Sequence, residues 1–206
     1  MYNKNIPWKL LGFALLIILL AIAYKWAKSE DAKKEVSIGE IKNVDLGGEE
    51  SYLSIVLRPK PGEALTVSGW KVSLGDSKIP FPNASALPRQ GQINEEKPVV
   101  ITVPTTLIIS GKRSPIGVSF RENKCIGMLG YFQNFIPPLP SKCPECTEET
   151  VGYPDYNTCV QNHLSESDFF GNIWRMYLAS GTDWTTSHRV VRLYDGKGKL
   201  LDTYSY

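Results

Sequence analysis

The feature that most constrains the fold is a pair of β-prone segments that ends the sequence, residues 190–194 and 199–206. The Asp-Gly-Lys-Gly stretch between them supplies glycine where a tight turn needs positive φ, so the two segments predict a β-hairpin. Val191 and Leu193 fall on one face of the first segment and Arg192 on the other. That alternation is typical of a strand with one buried and one solvated side.

From residue 36 onward, short apolar runs alternate with turn residues, and no long helical period is present. The candidate strands are 36–44, 51–58, 65–74, 78–81, 99–103, 107–110 and 116–120. Their near-regular spacing predicts an all-β sandwich or small barrel. The expected core residues are Trp70, Trp174, Trp184, Val191 and Leu193, since they are large apolar groups on strand-like segments.

The amino-terminal segment predicts the compartment. Residues 10–24 contain no charge, and the nineteen residues from Trp8 to Trp26 would rise about 28 Å as a helix, against a hydrocarbon core of about 30 Å. We therefore expect a transmembrane anchor with a tryptophan at each interface. A cleaved signal peptide ending near Ala21-Ile22-Ala23 and a buried core helix remain alternatives. Under either of the first two readings, residues 36–206 leave the cytoplasm.

This reading divides the chain into a short tail, an anchor or signal segment, a charged linker and one extracytoplasmic domain. The respective ranges are 1–8, 9–26, 27–35 and 36–206, with a cysteine-bearing insert at 121–172 that includes a short helix over 157–164. Lysines after the anchor would favour retention of the domain inside. Long domains translocate largely regardless of such charges, and the cysteines favour an oxidising exterior.

The sequence contains four cysteines, Cys125, Cys143, Cys146 and Cys159. An even number in an exported domain predicts two disulfides, and we expect Cys125 to pair with Cys143 and Cys146 with Cys159. A second possibility is a redox-active pair formed by Cys143 and Cys146, which would make the protein a surface thiol–disulfide enzyme. No βαβ pattern surrounds these two residues, as a thioredoxin-like enzyme would require.

A zinc site is the third possibility. Cys143, Cys146, Cys159 and His163 have the spacing of a zinc finger. The interval before Cys159 is acidic and is interrupted by Pro154, whereas a finger needs apolar residues there. Such a site would also leave Cys125 unpaired. We keep this Cys3His site as an alternative to the two disulfides.

Other chemistry finds little support in the sequence. The net charge is only +2, from 23 basic and 21 acidic residues, so we expect no nucleic-acid partner. Asp183, Ser187 and His188 are the residue types of a hydrolase triad, yet they are adjacent in sequence and no nucleophile-elbow motif is present. Phosphate-binding and zinc-protease motifs are also missing. The expectation is a non-enzymatic protein without catalytic residues, metal or cofactor.

Several motifs, in order, resemble the lamin-tail domain. They are Ser-Gly-Trp-Lys-Val at 68–72, Ile-Pro-Phe-Pro at 79–82, Trp184, Ser187-His188 and the final Leu-Tyr-Asp-Gly-Lys-Gly hairpin. Residues 114–143 and 156–178 are similar to membrane-anchored lamin-tail proteins of small-genome bacteria. The resemblance implies an immunoglobulin-like β-sandwich with a non-catalytic interaction or anchoring role. The cysteine-bearing insert is absent from lamin tails themselves, so the partners of lamins do not transfer.

These observations together predict a single-pass cell-membrane protein whose domain lies on the extracytoplasmic side. It would act as a binding or structural module for a protein or an envelope polymer.

Overall fold

The computed structural model describes residues 17–20, 35–43, 51–74, 76–140, 155–181 and 190–205. Of the residues that the structure describes, 38% are in strands and 13% are helical, so this part of the chain is mainly β, as the sequence predicts. It divides into two compact units, Met1–Lys34 and Glu35–Tyr206.

In the first unit, residues 17–20 are helical, and their Ile and Leu side chains are all more than half exposed. The rest of the predicted anchor at 9–26 lies outside the described residues, as do the tail at 1–8 and most of the linker at 27–35. Among the residues that are described, no helix is long and apolar enough to cross a membrane.

The second unit contains eleven described strands, a 3₁₀ helix and one α-helix. The strands are β1 (Val36–Asn43), β2 (Ser51–Leu57), β3 (Leu65–Thr66), β4 (Lys71–Leu74), β5 (Ser77–Pro80), β6 (Val100–Ile101), β7 (Thr105–Ser110), β8 (Phe120–Asn123), β9 (Phe170–Tyr177), β10 (Val190–Tyr194) and β11 (Leu200–Ser205). The 3₁₀ helix covers Ile126–Tyr131, and the α-helix, α1, covers Tyr156–His163.

The strands form a five-stranded sheet, a four-stranded sheet and a small β3–β6 pair. The five-stranded order is β1-β2-β7-β9-β8 and the four-stranded order is β11-β10-β4-β5. All pairs are antiparallel except β7 with β9. The insert begins at the end of β8 and ends at the start of β9. In the sheet, β9 lies between β7 and β8, both of which precede it in sequence.

Both larger sheets contribute to one hydrophobic cluster, the main core. Its wholly buried members from the sheets are Leu53, Ile55, Leu57, Val72, Leu107, Ile109, Met176, Val191 and Leu193. Trp70 and Trp174 also lie in the main core, at 6% and 8% exposure, whereas Trp184 falls outside the described residues. In β2, buried and half-buried residues alternate strictly, because a strand with a period of two presents only one face to the core.

The predicted C-terminal hairpin is confirmed by the pairing of β10 with β11, in which Val191 lies opposite Tyr204. In its turn, Asp195 Oδ1 accepts hydrogen bonds from the amides of Lys197 and Lys199, at 2.9 and 2.8 Å. Gly198 has φ of +87°, a conformation that is strained for residues with a Cβ atom.

Two strand predictions need correction. The segment 65–74 was expected to be one strand, but the chain turns between β3 and β4, where Gly69 adopts φ of +83°. The predicted strand at 116–120 begins only at Phe120, since Gly117 at φ of +82° interrupts the segment before it. In both places a glycine in the left-handed region ends the extended chain.

Candidate functional site: the loop at 84–97 and the insert that holds it

The insert builds a second hydrophobic cluster, the insert core, on the outer side of β8 and β9. Its members are Phe120, Cys125, Ile126, Met128, Leu129, Phe135, Tyr156, Cys159, Val160, Phe169 and Tyr177. Phe120 lies edge-on to the ring of Phe135, with centroids 5.9 Å apart, and stacks with the ring of Tyr177 at 6.1 Å. The insert thus shares a substantial aromatic core with the faces of β8 and β9 that it covers.

A disulfide between Cys125 and Cys159 crosses the insert core. Cys125 directly precedes the 3₁₀ helix and Cys159 lies in α1, and both are wholly buried. The two positions are separated by 34 residues in sequence, and closing a loop of that length in the unfolded chain is worth about 4 kcal/mol in the chain-entropy estimate.

This pairing corrects two sequence predictions. The expected pairs of Cys125 with Cys143 and of Cys146 with Cys159 are wrong, because Cys125 and Cys159 are bonded to each other. The Cys3His zinc site is incompatible with the same bond, since a disulfide sulfur is not a thiolate ligand. Cys143 and Cys146 lie outside the described residues.

The helix α1 starts one residue earlier than predicted, at Tyr156, because Asp155 caps it. The Asp155 carboxylate accepts hydrogen bonds from the backbone amides of Asn157 and Thr158, at 3.3 and 3.0 Å, and from the Thr158 hydroxyl at 2.8 Å. The hydroxyl bond is the main reason why the pKa of Asp155 lies below its usual range. The cap fixes the first turn of α1, from which two side chains reach the neighbouring loop.

Tyr156 joins the insert core to that loop. Its hydroxyl donates to the carbonyl oxygen of Pro88 at 3.0 Å and accepts from Asn123 Nδ2 at 2.8 Å. Asn123 Oδ1 in turn accepts from the amide of Cys125 at 3.0 Å. The Tyr156 ring is 1% exposed, and burial raises the pKa of its phenol to about 12.

The loop, which we call the 84–97 loop, is closed at its base by backbone pairing. The amides and carbonyls of Ala84 and Lys97 exchange two hydrogen bonds of 3.0 Å. Within the loop, the Asn94 side chain accepts from the Arg89 amide at 2.6 Å and donates to the Arg89 carbonyl at 3.1 Å. A compact loop with paired ends is an Ω-loop, a type that frequently carries function.

Asn157 makes the second connection from α1 to the loop. Its side chain accepts from the Gln90 amide at 3.1 Å and donates to the Gln90 carbonyl at 3.0 Å. Both polar groups of one peptide position are therefore satisfied by a single side chain on a capped helix. The loop conformation is imposed from outside as well as from within, so it is preorganised before any partner arrives.

A pocket of about 340 Å³ lies against this loop. Its apolar lining includes Ala84, Ala86, Leu87 and Ile93, and its charged lining includes Arg89, Glu95 and Lys97. Lys97 Nζ lies 2.9 Å from Glu95 Oε1, but both side chains are largely exposed, so this pair contributes little to stability. Ile93 is 102% exposed, and a large apolar side chain in that state is suited to burial by a partner.

A buried ion pair between β8 and β9 attaches the proline-rich segment of the insert to the sheet. Arg175 Nε on β9 lies 2.6 Å from Glu122 Oε1 on β8, and the two side chains are 3% and 7% exposed. The same guanidinium donates to the carbonyl oxygens of Pro137 and, at 3.1 Å, Pro138. The proline-rich segment is thus hydrogen-bonded to the ion pair, and each of the three guanidinium nitrogens of Arg175 has a protein acceptor.

His163, which was considered as a zinc ligand, belongs instead to a surface cluster at the end of α1. Its Nδ1 lies 2.5 Å from Glu166 Oε1, and Lys124 Nζ lies 2.5 Å from Glu166 Oε2 and 3.1 Å from Asp168 Oδ2. The Lys124 hydrogen bond is the main cause that lowers the pKa of Glu166, and the bond to Glu166 raises the pKa of Lys124. Because these side chains are partly exposed, we interpret the cluster as a set of ion pairs that fastens the turn after α1 and adds little to stability.

Among the described residues, no group of three His, Cys, Asp or Glu side chains is placed to hold a metal ion. The triad residue types Asp183, Ser187 and His188 lie outside the described ranges.

The 84–97 loop could not be recognised from the sequence, because the side chains that hydrogen-bond to it belong to Asn157 and Tyr156, more than sixty residues away. The only local signal was a polar run without strand or helix periodicity.

Comparisons with protein-family models, with curated proteins and with solved structures find no match to this chain.

Proposed function

We propose that the protein is a non-catalytic binding module, held at the cell membrane by its N-terminal segment, that presents the 84–97 loop to another component of the cell exterior. The domain would be an immunoglobulin-like sandwich of the lamin-tail type. Two sheets that share one core, together with the motif order in the sequence, support this proposal. The lamin-tail resemblance contributes the expectation of an interaction role.

The observation that carries the proposal is the coupling of the disulfide to the loop. Cys159 and Tyr156 lie one turn apart on α1, and Tyr156 holds the Pro88 carbonyl. Disulfides persist outside the cytoplasm, so a loop whose shape depends on one is suited to work there. Its fixed backbone and exposed Ile93 supply a preformed, partly apolar contact.

Site-specific crosslinking in intact cells tests this function. A photoreactive amino acid at position 93 is expected to give a discrete covalent adduct to one surface component, whereas the same residue at position 103 is not. Val103 is the matched control because it is also an exposed apolar residue, at 45%, but lies outside the loop. Equal adducts from both positions, or none from position 93, would contradict the proposal.

The compartment is tested separately. A membrane-impermeant amine reagent should label the lysines of the second unit in intact cells, because the domain is proposed to lie outside. Labelling that appears only after lysis would place the domain in the cytoplasm and would remove the membrane-anchored part of the proposal.

A second candidate function follows from the disulfide pairing. With Cys125 and Cys159 bonded to each other, Cys143 and Cys146 have only each other as partners within the chain. As a dithiol, this pair would reduce a substrate disulfide with two electrons and two protons and become a disulfide itself. Mass spectrometry after treatment with a glutathione buffer tests it. Selective reduction of a Cys143–Cys146 bond favours the redox function, and resistance of both bonds favours the binding module.

A further inference from the structure

The outward face of the four-stranded sheet carries three cations and no acidic residue. The register places Arg192 opposite both Ser73 and Thr203, and Ser73 opposite Lys78, so these side chains share one face. Tyr194 lies opposite Lys71 on the same face. The outward positions of the four strands are Lys71, Ser73, Lys78, Pro80, Val190, Arg192, Tyr194, Leu200, Thr203 and Ser205.

These cations have no counter-charge in the part of the chain that the structure describes. The ion pairs there involve other residues, and none includes Lys71, Lys78 or Arg192. Asp202 is close in sequence but lies opposite Leu193 in the register, on the core-facing side. The face therefore keeps its full positive charge, although the whole chain carries only +2.

The three cations are also close together. Lys71 is diagonal to both Arg192 and Lys78 across its strand, which corresponds to separations of about 7–8 Å. Lys78 Nζ lies 4.5 Å from the centroid of the Tyr194 ring, so its side chain extends across β4 toward β10. Ser73, between Arg192 and Lys78, is only 2% exposed, as expected if the stems of the flanking cations lie over it.

Protection of a sheet edge does not account for this pattern. Lysines on edge strands discourage pairing with other chains, and Lys78 on β5 is such a residue. Lys71 and Arg192, however, are on β4 and β10, the two inner strands of the sheet. Charge at inner positions of an outward face is placed to meet a ligand that lies across the strands.

We propose that this face binds an extended acidic peptide segment of a partner protein. Alternate residues of an extended peptide point the same way and lie about 7 Å apart, so carboxylates at every second position match the diagonal spacing of the cations. The Arg192 guanidinium offers two parallel donors to a carboxylate, and the lysines offer point charges. This surface is distinct from the 84–97 loop, and its binding of the peptide in solution does not depend on the membrane anchor.

Fluorescence anisotropy with the full-length protein tests the proposal. The probe is a labelled peptide of alternating glutamate and serine, with a glutamine-serine peptide as the uncharged control. The variant K71Q/K78Q/R192Q removes the three cations, and K60Q/K112Q/R113Q removes three exposed cations elsewhere. We expect the first variant to weaken binding by about tenfold or more and the second by less than about twofold, with strong weakening in high salt.

Circular dichroism of both triple variants shows whether either has unfolded. If the first has, the single variant K71Q, which keeps the other two cations, should still show a smaller loss of peptide affinity. Equal losses in the two triple variants would overturn the proposal in favour of a general charge effect. Binding of anionic phosphatidylglycerol vesicles that depends on the three cations, without binding of the peptide, would overturn it in favour of a membrane surface. Either result leaves the crosslinking test at position 93 unaffected.

Discussion

The two cores of this domain are stabilised in different ways. The main core is filled by aliphatic residues from the inward faces of the strands together with Trp70, Phe81 and Trp174, and no cysteine is among its described members. The insert core is aromatic, is crossed by a disulfide and is bordered by the Arg175–Glu122 pair and the Asn123–Tyr156 hydrogen bond. The main core is therefore stabilised by burial of apolar side chains, whereas the insert core also depends on specific bonded pairs of residues.

The strand β9 belongs to both cores. Trp174 and Met176 face the main core, and Arg175 and Tyr177 face the other way. Four consecutive residues are therefore buried, which is unusual for a strand with one solvated face. This double burial allows the contribution of each core to be measured on a single element.

The largest expected effect is that of breaking the buried ion pair. Arg175→Met leaves the Glu122 carboxylate buried and uncompensated, which should lower the free energy of unfolding by about 3–5 kcal/mol. Urea denaturation measures it. The double variant with Glu122→Leu is the control and should recover most of the loss, because an apolar pair is often neutral. Equal losses in the single and double variants would mean that packing, and not charge, dominates this site.

Removal of the disulfide should have the next largest effect. Cys125→Ala with Cys159→Ala is expected to lower the free energy of unfolding by about 2–4 kcal/mol. The loss should appear in hydrogen exchange of the insert and the 84–97 loop before that of β2 and β7. A uniform increase in exchange across both cores would show that the two regions unfold as one unit.

Alkaline pH should destabilise the insert through its tyrosines. Burial raises the pKa of Tyr156 and of Tyr177 to about 12 from the ordinary 10.0. The unfolded chain then loses these protons first, so stability is complete below about pH 10 and falls between about pH 10 and 12, by about 2–3 kcal/mol per tyrosine. Unfolding measured across this range should show the fall, and Tyr156→Phe should roughly halve it. An unchanged fall in that variant would assign the effect to other groups.

The smallest effect belongs to the main core. Ile55→Val removes one methylene from a wholly buried position on β2 and should cost about 0.5–1.5 kcal/mol. Because no polar partner is involved, exchange in the insert should stay unchanged. Accelerated exchange of α1 in this variant would contradict the separation of the two cores.

The main core was the more predictable of the two from sequence. The hairpin and the apolar alternation around Trp70 and in Val190–Tyr194 are local patterns, and the structure shows the apolar members Trp70, Val72, Val191 and Leu193 in the main core. The disulfide partners were not predictable, because Cys125 and Cys159 are brought together by the return of the chain from β8 to β9. Spacing along the sequence favours nearby cysteines, and it carries no information on that return.

The ion pair was missed for a related reason. Glu122 and Arg175 are 53 residues apart, and only the antiparallel pairing of β8 with β9 makes them neighbours. A signal was present, since Arg175 interrupts the otherwise apolar run Ile-Trp-Arg-Met-Tyr. A charged residue in such a run indicates a strand buried on both sides with a polar partner, but not which residue the partner is.

The position of β9 has a consequence for how the molecule assembles. This strand is inserted between two strands made earlier, and one of its neighbours is parallel. The five-stranded sheet is therefore incomplete until the chain has passed through the entire insert and returned. Closing a chain loop of this length is entropically slow. We therefore expect loop closure, and not the formation of the short hairpins, to limit the rate at which the five-stranded sheet is completed.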